Sequence, residues 1–245
     1  MSAIAETISS QLGYAVGELG WNKQRAKFLL ILWSAFLPIS LFSVLLIVGL
    51  PAFLVNLWLV GRSFRRLRSS KTIIHLCEKG LLDTRGEPTV LRYAQIAELY
   101  TGIDQAKVGP VFYRYGVKMQ NGRQMQFGIE VANPKALGNA LQEGMVIAQL
   151  PQRLSEVEKG AEIGFNRLSL SRHGLSLGKK QLTWSEFDQA KIVTLKGYKS
   201  SQSVFLDIYA KGQTHFWGRF QRDRFPNLAL FFALVEQLCC NNLPN

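Results

Sequence analysis

Leu170-Ser171-Arg172-His173-Gly174-Leu175-Ser176, followed by Leu182-Thr183-Trp184-Ser185-Glu186-Phe187, is the stretch that decides the fold. A short apolar strand meets a charged turn, a glycine supplies a backbone angle that side chains disfavour, and the strand restarts. The second segment alternates apolar and polar residues, as a strand does when one face lies on a core. The same pattern occurs earlier as Leu76-Cys77-Glu78-Lys79-Gly80-Leu81-Leu82 and Leu91-Arg92-Tyr93-Ala94-Gln95-Ile96. The offset is about 92 residues, enough for one small structural unit to be present twice.

More strands surround each copy. Val111 to Met119 runs into Asn121-Gly122, a hairpin turn, and Gln124 to Glu130 returns. Ala190 to Leu195, Val204 to Tyr209 and His215 to Phe220 play the same part later, with Lys211-Gly212 as a turn. Each copy closes on an amphipathic helix. Asn133 caps the first, Pro134 takes its first position, and Leu137, Leu141, Met145 and Ala148 form its stripe. Pro226 opens the second, whose apolar face is Leu228, Phe231, Phe232, Val235 and Leu238. The polar segment 151–160 reads as a linker. The expected class is α+β: two tandem units, 72–150 and 161–240, each an antiparallel sheet or partly open barrel capped by a C-terminal helix.

With Leu168-Ser169-Leu170-Ser171-Arg172-His173-Gly174-Leu175, Leu182-Thr183-Trp184-Ser185-Glu186, Trp217 and Phe225-Pro226-Asn227-Leu228, this layout resembles a bacterial family. That family comprises membrane-anchored, pleckstrin-homology-like domains of uncharacterised function. The resemblance covers roughly residues 72–240 and is weaker in the first copy, where Tyr93 stands for Trp184 and Asn133-Pro134 for Pro226-Asn227. It implies a binding or scaffolding module beside a membrane and brings no catalytic residues.

Before the first copy lies an apolar run. No acidic or basic residue occurs in the 34 positions from Phe28 to Gly61. A membrane-spanning helix needs roughly 20 such residues, and a signal peptide's apolar region has only about 7–15. Both flanks are basic: Lys23, Arg25 and Lys27 before, Arg62, Arg65, Arg66, Arg68 and Lys71 after. Basic residues concentrate on the cytoplasmic side of a span. The expectation is therefore a transmembrane helical hairpin over 23–68, with breaks at Pro38 and Gly49-Leu50-Pro51 and a single kinked span as the alternative. The chain would be an integral membrane protein with its soluble region cytoplasmic, and the eight flanking residues would contact anionic headgroups. Residues 1–22 carry Ile4, Ile8, Leu12, Ala15, Val16 and Leu19 at helical spacing and read as an amphipathic segment.

The net charge is +12, but residues from 72 onward hold 21 basic and 15 acidic side chains, so much of the excess lies beside the apolar run. Zinc-finger spacing, RNP-like aromatics and helix-turn-helix patterning are missing, which argues against nucleic acid. Cys77, Cys239 and Cys240 form no CxxC, against a disulfide scaffold or zinc site. His75, His173 and His215 have no metal-ligand spacing, and Gly178-Lys179-Lys180 lacks the rest of a P-loop. No cofactor or metal is expected, and no enzyme. The candidates for ligand or phosphate contact are Lys179, Lys180, Arg219, Arg222 and Arg224. The expected function is a non-enzymatic, membrane-anchored binding or scaffold module presenting its units at the cytoplasmic face. Its partners would be anionic lipid headgroups, a protein or a second copy in a homo-oligomer. The alternative is a self-assembling structural membrane protein that uses the hairpin as a wedge and pairs strand edges.

Overall fold

The computed structural model describes residues 8–44, 50–68, 72–105, 111–196 and 202–242. The protein is α+β, and its strands pair antiparallel in four small sheets. In the first unit β1 (Ala15–Gly20), β2 (Thr72–Cys77), β3 (Gly80–Asp83) and β4 (Thr89–Arg92) form one sheet. A second sheet holds β5 (Ile96–Gln105), β6 (Val111–Met119) and β7 (Gln124–Phe127). The second unit repeats this with β8 (Ile163–Phe165), β9 (Leu168–Ser171), β10 (Gly174–Leu177) and β11 (Lys180–Thr183), then β12 (Phe187–Lys196), β13 (Gln202–Ala210) and β14 (Phe216–Gln221). Duplication extends to length: β5 and β12 have 10 residues each, β6 and β13 have 9 each. Each unit thus carries two sheets, where an antiparallel sheet or partly open barrel was expected.

The repeated glycines explain why the turns recur. A Cβ on Gly80 would stand 2.1 Å from the Leu91 carbonyl oxygen, and one on Gly174 2.0 Å from that of Leu182. Gly174 also has a φ of +149°. Both positions demand a residue without a side chain, because the neighbouring strand's backbone occupies the space.

The first unit begins earlier than the repeat suggests. Residues 15–20 form strand β1, not part of a helix; Leu19 pairs with Ile74 and Glu18 with His75 on β2. Gly17 and Gly20 weaken any helix here, and the ladder to β2 satisfies the backbone instead. Leu12 ends a single turn, Ile8–Leu12, and is fully buried against Cys77 and Leu82. Residues 1–7, with Ile4, lie outside the described residues. Between β1 and β2, neighbours in one sheet, the chain inserts two helices, α1 (Lys23–Val44) and α2 (Leu50–Arg68).

These helices occupy the segment expected to span a membrane, and that expectation is overturned. No helix among the described residues is long and apolar enough to cross a membrane. The uncharged run is divided between two elements. α1 spends its first turns on Lys23, Arg25 and Lys27, and α2 its last turns on Arg62, Arg65, Arg66 and Arg68. The uncharged part of α2, Leu50 to Gly61, is only about 18 Å long at 1.5 Å per residue, well short of a bilayer core of about 30 Å. The transmembrane anchor, the integral-membrane localisation and the cytoplasmic placement resting on it fall together. The two helices nevertheless pack on each other. Asn56 Nδ2 donates to Ser40 Oγ at 3.1 Å, and Ser63 faces Ala26 and Leu29, so the helices run antiparallel.

α3 (Pro134–Glu158) follows the first unit and α4 (Leu228–Asn242) the second. Asn133 caps α3, its side chain accepting from the Ala136 N–H at 3.1 Å. The segment expected as a linker, 151–160, continues α3 as helix through Glu158 despite Pro151. Leu150 and Leu154 pack on the core and Val157 is buried in it, which offsets the hydrogen bond the proline omits. α4 starts at Leu228, two residues after Pro226. α3 and α4 pack together, and one continuous core joins Phe127, Leu137 and Leu141 of the first unit to Phe165, Phe225 and Phe231 of the second.

Candidate functional site

The two units meet at a short segment, Phe225-Pro226-Asn227, that leads into α4. Phe225 is held by aromatic contacts with Phe165, Phe220 and Phe231, ring centroids 5.3 to 5.8 Å apart. Its N–H closes the one-turn helix Arg222–Arg224 on the Arg222 carbonyl at 3.2 Å. Asn227, at a φ of +54°, then binds the outer edge of β5. Its N–H donates to Leu99 O at 2.9 Å, its Nδ2 to Ala97 O at 2.8 Å, and its Oδ1 accepts from Leu99 N at 2.7 Å. Asparagine is one of the few residues that reach this backbone region and carry both a donor and an acceptor.

Two residues beyond Leu99, this junction opens into a small polar cleft of about 80 Å³. One wall is Thr101, Gly102 and Ile103 of β5 with Arg114 of β6. The other is Ser203 and Val204 of β13 with Gln221, Arg222 and Asp223. Thr101 is 4% exposed, yet its Oγ1 finds no hydrogen-bond partner among the described residues. Arg222 Nε is likewise buried without one. A buried polar group lacking a partner costs about 1–3 kcal/mol, so two in one cleft call for a ligand or water. Tyr115 feels the same guanidinium: burial and Tyr113 push its hydroxyl pKa up, and the Arg222 charge pulls it down. The donors here, guanidinium, hydroxyl and amide, suit an oxyanion. Among the described residues that line it, Asp223 is the one carboxylate.

Of the five residues expected to contact a ligand, only Arg222 lines this cleft. Lys179 and Lys180 are exposed at the β10–β11 turn, and Arg224 is exposed outside the cleft lining. Arg219 is engaged elsewhere. Its Nε and Nη2 bind the fully buried Asp207 carboxylate at 2.7 and 2.5 Å, and its guanidinium lies 4.1 Å from the Phe216 ring centroid. That bidentate bond raises the Arg219 pKa. Sequence reasoning missed Thr101, Arg114, Ser203, Gln221 and Asp223. A lone threonine in a strand gives no signal. Arg114 did leave one: it is the fourth residue of β6, where β13 has Phe205, a charge in one copy against an aromatic in the other.

The basic residues flanking the hairpin gather at its open end. Lys23, Lys27, Arg62 and Arg65 are exposed and Arg25 is half-buried. Arg66 and Arg68 fall in the last turn of α2, and Lys71 lies outside the described residues. Cys77 is buried as a small apolar side chain, and burial raises its thiol pKa. Among the described residues no group of His, Cys, Asp and Glu could hold a metal ion.

Comparison with curated proteins gives no match. A family model matches residues 7–242, so it includes both units, the inserted hairpin and the junction cleft, and the chain belongs to the family of unknown function DUF6585.

Proposed function

We propose that the protein is a non-enzymatic binding module, a fused pair of pleckstrin-homology-like units that holds an oxyanion-bearing ligand at their junction. The pleckstrin-homology-like assignment is supported by each unit's seven antiparallel strands followed by a helix. The observation that carries the binding reading is the pair of buried atoms without a partner among the described residues, Thr101 Oγ1 and Arg222 Nε, on two residues that line one cleft built from both units. An oxyanion accepts from both and from the second guanidinium, Arg114.

Inorganic phosphate is the first probe. Titrated into the full chain, it saturates and raises the melting temperature, since a ligand bound only by the folded state stabilises by RT ln(1 + [L]/Kd). Arg222→Gln and Thr101→Val each abolish that shift and leave the far-ultraviolet circular dichroism unchanged. A melting temperature indifferent to phosphate and to citrate, or a shift that both variants retain, overturns the reading.

A further inference from the structure

The α1–α2 hairpin carries an apolar surface that the rest of the described residues do not cover. Phe28, Ile31, Phe36 and Ile39 on α1, and Leu54 and Trp58 on α2, are each 47 to 70% exposed. Contiguous exposed apolar surface of this kind marks an interaction site. Its charge says what kind. Antiparallel packing sets Lys23, Arg25 and Lys27 beside Arg62 and Arg65 at the end nearest the β units, and no acidic residue occurs between Glu18 and Glu78. Arg62 lies 5.1 Å from the Trp58 ring centroid, so the collar and the apolar arm meet at an aromatic side chain of the type that favours lipid–water boundaries.

We infer that the hairpin docks on an anionic lipid surface, its apolar arm in the interfacial layer of one leaflet and its basic collar on the headgroups. A lipid surface supplies both complements at once, an apolar layer beneath a plane of negative charge. A second copy supplies the apolar face but meets the collar with the same sign of charge. The arm does not cross, for the reason of length given above. This docking is independent of the junction cleft, which uses none of these residues.

The test is flotation of the full chain with vesicles of phosphatidylcholine alone and of phosphatidylcholine mixed with phosphatidylglycerol. The chain floats with the mixed vesicles and much less with the neutral ones. Arg62→Glu combined with Arg65→Glu weakens partitioning about tenfold or more, each basic residue near an anionic surface being worth about 1 kcal/mol. The melting temperature in the absence of lipid stays that of the parent chain. Leu54→Ser combined with Trp58→Ser also lowers flotation, again without loss of fold. Equal flotation with both vesicle types, or with neither, overturns the inference. So does a dimer, seen by light scattering, that Leu54→Ser with Trp58→Ser dissociates while vesicles fail to compete, because a second copy then covers the arm. Labelling of Leu50→Cys by a maleimide sealed inside the vesicles overturns it as well, because the arm would then cross.

Discussion

Asn227 and Leu99 are paired like residues of adjacent strands, although one precedes a helix of the second unit and the other lies on β5 of the first. Each donates to the other, at 2.9 and 2.7 Å, and the Asn227 amide reaches a third group, Ala97 O. A single residue thus fixes the position of one unit's edge against the other, immediately beside the cleft.

Removing that side chain should be costly in two separable ways. Asn227→Gly keeps the φ of +54° accessible but loses two hydrogen bonds, one of them from the N–H of Leu99, a residue 1% exposed. A loss of about 1–3 kcal/mol is expected. Asn227→Ala adds the strain of a left-handed backbone, about 1–2 kcal/mol more. Urea denaturation of the two variants measures both, and alanine should be the worse. Equal stabilities would mean that the φ is relaxed elsewhere in solution.

The repeated glycines give a prediction that distinguishes position from residue type. Gly80→Ala and Gly174→Ala each drive a methyl into a carbonyl oxygen of the neighbouring strand, and each should lower stability by about 3 kcal/mol or more. Gly61 lies inside α2 with nothing within 4 Å of its missing Cβ. Gly61→Ala should therefore raise stability by about 0.5–1 kcal/mol. Guanidinium denaturation midpoints of the three variants decide the matter.

Much of this was legible in the chain because it is local. The Gly80 and Gly174 turns, the Asn121-Gly122 hairpin and the Asn133-Pro134 cap each declare themselves within a few residues. β1 was hidden because its reason to be a strand, β2, lies beyond the whole inserted hairpin, while its apolar residues happen to keep helical spacing. The helix through Pro151 was hidden for a related reason: Val157 reaches a core that the segment's own polarity does not reveal. The hairpin itself was readable, but the length of its uncharged arms depends on where α1 ends and α2 starts. The cleft was least legible, since its walls come from strands and a turn separated by about a hundred residues, a distance that no local pattern spans. Arg222 stood out in its basic cluster only by type; that Asp207 engages Arg219 and leaves Arg222 to the cleft is a tertiary fact.

The Asp207–Arg219 pair should behave as a structural ion pair rather than a ligand contact. Asp207 is fully buried, so Arg219→Gln leaves a carboxylate without its cation and should cost about 3–5 kcal/mol. Replacing both, Asp207→Leu with Arg219→Met, should recover most of the loss. The phosphate-dependent rise in melting temperature should persist in the double variant, because neither residue lines the cleft.

Alkaline pH should reveal Tyr93. Burial, helped by Cys77, pushes its hydroxyl from 10.0 up to about 12. The folded state therefore holds the proton more tightly than the unfolded chain. Its contribution is complete below pH 10 and is lost as pH rises from 10 toward 12. That difference corresponds to about 2–3 kcal/mol. Urea midpoints across that window should fall less steeply for Tyr93→Phe than for the parent chain.

Gln149 supplies the most specific test of how α3 is tied to the first unit. It is 5% exposed, and its Nε2 donates to both Tyr93 O and Ile96 O at 2.9 Å. Gln149→Leu fills the space but takes a donor from both carbonyls, leaving Tyr93 O only the Ile96 N–H, a loss of about 1–3 kcal/mol. Gln149→Glu is more informative. A carboxylate facing two carbonyl oxygens is repelled, whereas the protonated acid restores one donor, so the folded state raises the pKa of this residue above the unfolded value of about 4.3. The stabilising contribution of its proton is then present below pH 4.3 and lost as pH rises through the higher folded pKa. The stability gap between Gln149→Glu and the parent chain should be small at pH 4 and widen toward pH 7, as urea denaturation at the two values would show. A gap independent of pH would mean that the helix turns this side chain toward water and that other contacts hold α3 in place.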